Sequence, residues 1–507
     1  MKFSLRHKST GSAYPYLSQL SPAMYIGFFQ KVYVNNQSRV VANRPVLLAA
    51  NHPTAFVDPC LLCTYLDPPL YNMTRGDLFK KPLFRNLMES INMFPVYRTR
   101  DGFNQRHKND AVFDFCVGKL KENQVVTIYV EGEHHLEKRV RPVHKGIALI
   151  AFRSYFEEGL TDLEIVPAGC NYVYGDKPRD SVMVNFGAPL YLRDYEQRYL
   201  EDANKASITL CADIEKALKG ICYHVDDPAD MELAEQQLEL HRSNRGEGLL
   251  PVVQYNHPRF AQEKAVLDQL NALPADEKAG LRVRTAAYFA ALNNAGLEDF
   301  ALCNAKKGHW SWMLYFVLMF PVFLLGYITA LPVLAASWGV TRRFVTKREF
   351  VTSVWMGVGF LFGLVYYGLW LIGCLISWNP WWIAFGLLMP LLGWYNMHYR
   401  EHFGRWWSIR LARRHPDRAG LMALRVLATL VAEKSALATE VVALSATEVV
   451  ALSATEVVAL SATEVVPLSA TEVAALSATE VVPLSATEVA ATGLKSQNPD
   501  QKDASFP

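Results

Sequence analysis

Between roughly residues 30 and 200, apolar positions fall into short blocks separated by stretches of helical spacing. Pro45 to Ala50 is an unbroken apolar run, and a run this short bounded by polar residues reads as a buried strand. It ends at Asn51-His52. Ile91 to Arg98, Val125 to Val130, Leu163 to Tyr172 and Val182 to Phe186 read as further strands, Val125 to Val130 being rich in β-branched residues. Between them, Cys60 to Tyr65 and residues 109–120 (Val112, Phe113, Phe115, Cys116, Leu120) keep helical spacing. Strands alternating with helices predict an α/β domain. Residues 22–34, with Met24, Tyr25, Ile26, Phe28, Phe29 and the single Lys31, read as a helix packed on that domain; a helix lying on a membrane surface is the alternative.

The pattern then changes. Residues 201–307 are rich in Ala, Leu, Glu and Lys at helical spacing, with Pro251 and Pro274 as breaks, and predict a helical extension. No formally charged residue occurs from Gly308 to Thr341 or from Phe350 to Tyr399. A membrane-spanning helix needs about 20 apolar residues, so residues 308–400 predict a transmembrane region of three to four segments. The second run divides at Ser377-Trp378-Asn379-Pro380. Arginines flank both runs (Arg342, Arg343 and Arg348; then Arg400 to Arg414), marking cytoplasmic ends. A first run that crossed once would put the N-terminal domain outside. The expectation is therefore that residues 309–340 enter and return as a hairpin or re-entrant segment. A basic cytoplasmic helix (401–438) follows, and then residues 439–507. There Thr-Glu-Val-Val-Ala-Leu-Ser-Ala recurs with a period of eight, which keeps no apolar stripe on one helix face; a low-complexity tail is expected.

Composition adds little to this division. The formal charge of +2 gives no global electrostatic reason to bind nucleic acid. Cys60 and Cys63 form a C-x-x-C without a second pair at metal-ligand spacing, so they read as one buried helical face, and the eight cysteines as reduced thiols. The N-terminus is basic but lacks the apolar run of a signal peptide.

Candidate chemistry gathers at strand ends. His52 follows the first strand and Asp58 stands six residues on, which suits a general base and the carboxylate that orients it. Arg98 ends a later strand, where its planar fork could hold a phosphate. Glu131-Gly132 ends another, and glycine there permits a tight turn or close approach to a ligand. His134, His135 and His144, with Arg139, Arg141 and Lys145, read as a basic loop around an anionic substrate, since the histidine spacing specifies no metal site. Polar groups at the edge of an open sheet are where α/β domains place their sites.

Taken in order, these landmarks resemble the phospholipid/glycerol acyltransferase family. Asn51-His52 through Asp58 resembles its Asn-His-x4-Asp motif, with five residues between His and Asp here instead of four. Asn92 through Arg98 is similar to Gly-x-x-Phe-Ile-x-Arg chiefly at the arginine. Tyr129-Val130-Glu131-Gly132 resembles Phe-Pro-Glu-Gly, and Ile165-Val166-Pro167 the last motif. The arginine that usually follows Glu-Gly is His134 here, and Arg141-Pro142 with Lys145-Gly146 resembles a basic stretch that could supply the missing cation. The resemblance covers about residues 25–200 and implies a glycerolipid acyltransferase-like α/β domain. It implies a catalytic pair, His52 and Asp58, and a phosphate-binding set, Arg98, Glu131, Gly132 and Lys145. By the same resemblance the acyl donor is acyl-CoA or acyl-carrier protein. The acceptor is glycerol 3-phosphate or its 1-acyl product, the membrane lipids are partners, and no metal or other cofactor is needed. The expected protein is an integral membrane enzyme with its catalytic domain on the cytoplasmic face. A different hydroxyl acceptor, or an inactive membrane scaffold, is the alternative.

Overall fold

A computed structural model describes residues 12–96, 107–245, 248–305 and 311–430. The expectations for Arg98 and for the octapeptide repeat fall outside these residues. Among the described residues, nine strands form one mixed sheet: β1 (Lys31–Asn35), β2 (Val46–Ala50), β3 (Leu70–Arg75), β4 (Met93–Val96), β5 (Val125–Tyr129), β6 (Glu164–Tyr172), β7 (Ser181–Phe186), β8 (Leu190–Tyr191) and β9 (Val253–Tyr255). The main order is β4-β3-β5-β2-β6-β7-β1-β9, with β8 pairing on β6. Pairing is parallel except where β6 meets β7 and β8.

Helices α1 (Tyr14–Phe28), α2 (Val57–Tyr65), α3 (Pro82–Ser90), α4 (His107–Lys121), α5 (Gly146–Phe152), α6 (Glu196–Glu201) and α7 (Ala203–Ile221) alternate with or follow these strands. After them come α8 (Met231–Ser243), α9 (Arg259–Ala272), α10 (Ala275–Asn294) and α11 (Asp299–Cys303). Successive side chains of a strand point to opposite faces. Along β2, Leu47 and Ala49 therefore enter one apolar cluster with Cys116 of α4, Ile147 of α5 and Leu210 of α7. Val46, Leu48 and Ala50 enter another with Tyr25 of α1 and Val57 and Leu61 of α2. Burial on both faces explains why β2 is apolar without alternation.

The expected α/β domain is present, with two corrections. Residues 31–34, read as the end of a helix, form β1 between β7 and β9, because all five of its side chains are buried in the sheet. The extension is not purely helical. It contributes β9, which pairs with β1 in parallel.

Three long helices follow: α12 (Ser311–Phe344), α13 (Val351–Ile376) and α14 (Pro380–Arg414). Residues Ser311–Phe344 and Arg348–Ile376 are long and apolar enough to cross a membrane, and only 17% and 11% of their most apolar windows is buried. A core helix of a soluble fold would be mostly buried, so this outward apolar surface calls for another cover. The break at 377–380 stands where expected. The hairpin expected within 309–340 does not form, since α12 is one continuous helix of 34 residues with Pro321 and Pro332 inside it. In an apolar setting neighbouring helices compensate for the lost proline hydrogen bonds, and α12 has such neighbours: an added Cβ at Gly326 would strike the Leu392 backbone of α14.

Both ends of α12 are tied to the sheet domain. Trp312 stacks on His402 at 5.4 Å, and the adjacent Glu401 pairs with Arg179 at 2.5 Å. Beyond the other end, Arg348 pairs with Asp176 at 2.5 Å. A separate compact unit begins at Pro416, and its described helix is α15 (Arg418–Ala428).

Candidate active site

The loop between β2 and α2 is fixed from several sides. Asn51 extends β2 beyond its last ladder bond: its side-chain nitrogen donates to Cys170 O at 3.0 Å, and its Oδ1 accepts from Cys170 N at 2.7 Å. His52 and Asp58 follow, both buried. His52 Nδ1 lies 2.9 Å from Asp58 Oδ2. The same oxygen accepts from Thr54 N at 2.8 Å. The other accepts from Thr54 Oγ1 at 2.8 Å and from the Tyr172 hydroxyl at 2.6 Å. Asp58 also lies in the first turn of α2, where unpaired N–H groups favour a negative charge.

An ionised Asp58 can only accept, so Nδ1 of His52 donates to it and Nε2 keeps its lone pair. The ring stacks on Tyr129 at 3.9 Å and meets the edge of His134 at 4.1 Å, and His134 in turn meets Phe350 at 5.5 Å. Burial, with Asp58 as a further cause, holds the Tyr172 hydroxyl well above its ordinary value, so it stays a neutral donor.

Glu131 is buried beside this pair. Its Oε2 accepts from His52 N at 3.3 Å and its Oε1 from Arg141 N at 2.9 Å. Burial pushes its carboxyl up, and those two backbone N–H groups pull it back. With both oxygens engaged by the backbone, Glu131 clamps the β5 turn to the catalytic loop, and a carboxylate adjacent to a phosphate would repel it. Its two oxygens thus meet the backbone of His52 and of Arg141. Gly132 has φ +72°, and an added Cβ would lie 3.0 Å from the His144 ring, so this turn requires glycine. Lys145 is exposed, and its Nζ donates to Asn204 Oδ1 at 2.9 Å.

His52, Asp58, Glu131 and Gly132 thus come together, while Lys145 stands on the surface at the start of α5. Reading the sequence missed Tyr172 and Thr54. Thr54 lies inside the motif, whereas only the fold brings Tyr172 to Asp58. It also missed the α12–α13 junction. Ala55 N donates to Glu349 O at 3.4 Å, and Phe56 N to Ser353 Oγ at 3.0 Å. Cys60 and Cys63 sit on α2 with their thiols pushed by burial to about 12 and about 11, values that disfavour the reactive thiolate. Among the described residues, no three His, Cys, Asp or Glu side chains are grouped to hold a metal.

Residues 31–171 match the family model described as Acyltransferase. This segment is an acyltransferase-family domain. The match runs from β1 through the catalytic loop, the Glu131-Gly132 turn and most of β6. An uncharacterized acyltransferase of Schizosaccharomyces pombe is 22% identical over 150 residues, which are 27% of this chain and 22% of that protein's length. The chain thus spans about a fifth of this curated relative. The crystal structure of PlsC, the 1-acyl-sn-glycerophosphate (LPA) acyltransferase of Thermotoga maritima, aligns with 40% of this chain and 78% of its own at 15% identity and a TM-score of 0.30.

Proposed function

We propose that the protein is a membrane-bound O-acyltransferase that moves a fatty acyl group from a thioester donor, acyl-CoA or acyl-carrier protein, to a hydroxyl of glycerol 3-phosphate or 1-acylglycerol 3-phosphate. The observation that carries this reading is the buried His52–Asp58 pair in an acyltransferase-family domain, with Nδ1 engaged at 2.9 Å and Nε2 left as the base. The acceptor oxygen attacks the thioester carbonyl as Nε2 takes its proton. The tetrahedral intermediate collapses, the C–S bond breaks, and the imidazolium returns the proton to the departing sulfur. The new ester and the free thiol are the products. Asp58 stabilises the imidazolium, while Glu131 holds the backbone of His52 in register. Arg98 and Lys145 are the cations proposed for the acceptor phosphate.

The outward apolar surfaces of α12 and α13 support membrane attachment, where a lipid product would be released. α12 is tied to the sheet domain at both ends, through Glu401–Arg179 and Arg348–Asp176. It therefore leaves and regains one side without a net crossing, and Arg342, Arg343 and Arg348 on that side support a cytoplasmic position for the domain.

Replacing His52 by Ala tests the reading. Acyl transfer from labelled acyl-CoA to glycerol 3-phosphate or 1-acylglycerol 3-phosphate should fall by about 10²–10⁴-fold, with circular dichroism unchanged. Near-normal turnover in that variant overturns the assignment.

A further inference from the structure

His52 is held by more than its carboxylate. Its backbone is locked on two sides: its N–H donates to Glu131 Oε2 at 3.3 Å, and its carbonyl accepts from His135 N at 3.2 Å. That leaves the torsions of the imidazole itself. Asp58 engages Nδ1, and Tyr129 stacks on the ring with 19° between the planes. A further aromatic contact comes from His134, 4.1 Å away and turned by 72°.

His134 belongs to the same turn as Glu131 and His135, and another ring reaches it from far along the chain. Phe350 meets it edge-on, at 5.5 Å and 83°. Aromatic rings favour this arrangement over a flat sandwich, because the positive edge of one faces the negative face of the next. The chain of rings Phe350, His134, His52 and Tyr129 thus starts outside the acyltransferase-family segment and ends on β5.

Phe350 is anchored on both sides in sequence. Two residues before it, Arg348 pairs with Asp176 at 2.5 Å. Two residues after it, Thr352, only 1% exposed, donates from Oγ1 to Gly175 O at 2.5 Å. Ser353 Oγ then accepts from Phe56 N, and Met356 enters the apolar cluster of Val57 and Leu61. The start of α13 is therefore packed into the sheet domain. A side chain between two such anchors has little freedom to leave its neighbour.

The structure assigns Phe350 as a positioning residue for His52. It acts through His134: Phe350 holds the His134 ring in place, and His134 limits the turning of the imidazole away from Asp58 and Tyr129. Nε2 then keeps one direction, as a base must when it meets an acceptor hydroxyl. This last step rests on the proposed acyl transfer; the holding of the ring does not.

Three substitutions in the full chain in detergent test the assignment: Phe350→Tyr keeps a ring, Phe350→Leu keeps apolar bulk without one, and Phe350→Ala removes both. The first readout is the rate at which diethyl pyrocarbonate modifies His52, followed by mass spectrometry of its peptide, which needs no substrate. His52 is 7% exposed, so a released ring reacts faster. The rate should rise about fivefold in the Leu and Ala variants, the measure of one edge-on ring contact, and stay close to wild type in Phe350→Tyr. The second readout is acyl transfer from labelled acyl-CoA, where kcat should fall about fivefold in the Leu and Ala variants with KM little changed, and Tyr should restore it. Unchanged modification in Phe350→Leu overturns the assignment, and so does leucine serving as well as tyrosine, which would reduce Phe350 to bulk. An effect confined to KM overturns it as well, making Phe350 a substrate contact. Should Phe350→Ala fail to fold by circular dichroism, the Leu and Tyr variants decide. A wild type without turnover, whose modification rate still follows the ring at 350, would count against acyl transfer and support the assignment.

Discussion

Asp58 and Glu263, both fully buried, are dressed in opposite ways. Asp58 is surrounded by neutral donors, Thr54 N, Thr54 Oγ1 and the Tyr172 hydroxyl, and by the His52 imidazole. Glu263 is gripped by two guanidiniums, Arg242 and Arg259, with the Tyr223 hydroxyl completing its shell at 2.7 Å. Burial alone would push Glu263 up, but the two arginines outweigh it and hold the carboxyl well below the usual range. Arginines spend the negative charge of a carboxylate locally. Neutral donors solvate the charge and leave its field for a neighbouring imidazole. The same chemical group is thus a bolt between α8 and α9 and, at the sheet edge, the partner of His52 that the proposed reaction would use to stabilise the imidazolium.

The contrast can be broken by exchanging charge for shape. Asp58→Asn keeps the volume and most acceptors but presents an N–H to His52, favouring the wrong tautomer. Acyl transfer measured with labelled donor should fall about 10²–10⁴-fold, while the chemical-denaturation midpoint moves little. Glu263→Gln should do the reverse. It leaves two buried guanidiniums short of a counter-charge, so unfolding free energy should drop by about 3–5 kcal/mol, with turnover per folded molecule unchanged. Because the folded Glu263 carboxyl titrates below its ordinary value of 4.5, its contribution is complete above that pH and is lost as pH falls through the folded value. The wild type should therefore lose stability on acidification below about pH 4.5 more steeply than Glu263→Gln.

Tyr172→Phe removes a 2.6 Å bond to the functional carboxylate. Turnover should fall about tenfold. The acid limb of the kcat/KM profile should move to higher pH, because a less solvated Asp58 favours the imidazolium. A uniform loss of activity without that movement would reduce Tyr172 to a packing residue. The smallest effect is expected for Ser353→Ala, where the Phe56 N–H loses its acceptor: about a fivefold drop in turnover and an unchanged unfolding midpoint for the sheet domain.

How far the sequence disclosed this site depended on distance along the chain. β2, β5, β6 and β7 were legible because strands buried on both faces are written as unbroken apolar runs. β1 and β3 were not. Lys31-Val32-Tyr33-Val34 continues the aromatic pattern of α1, and Leu70-Tyr71-Asn72-Met73-Thr74-Arg75 carries polar residues within a strand that directly follows two prolines. His52 and Asp58 stood out because both lie in one loop. Tyr172 reaches Asp58 across 114 residues, and Ser353 reaches Phe56 across 297, and no local pattern encodes such pairs. The arginines on both flanks argued for a hairpin where α12 runs unbroken through Pro321 and Pro332. The packed neighbours that let a helix continue through proline are tertiary, and the sequence of the helix does not name them.

The two hydrogen bonds from the catalytic loop to the α12–α13 junction bear on how such a chain could be recombined. A domain is exchangeable when its own residues complete its own site. Here Glu349 and Ser353, beyond the acyltransferase-family segment, satisfy the N–H groups of Ala55 and Phe56 inside the catalytic motif. Transplanting residues 31–171 onto foreign C-terminal helices would carry over His52, Asp58 and the glycine turn, but would leave the loop between them without part of its backing. The α12–α13 junction is in that respect a structural part of the loop that carries His52 and Asp58.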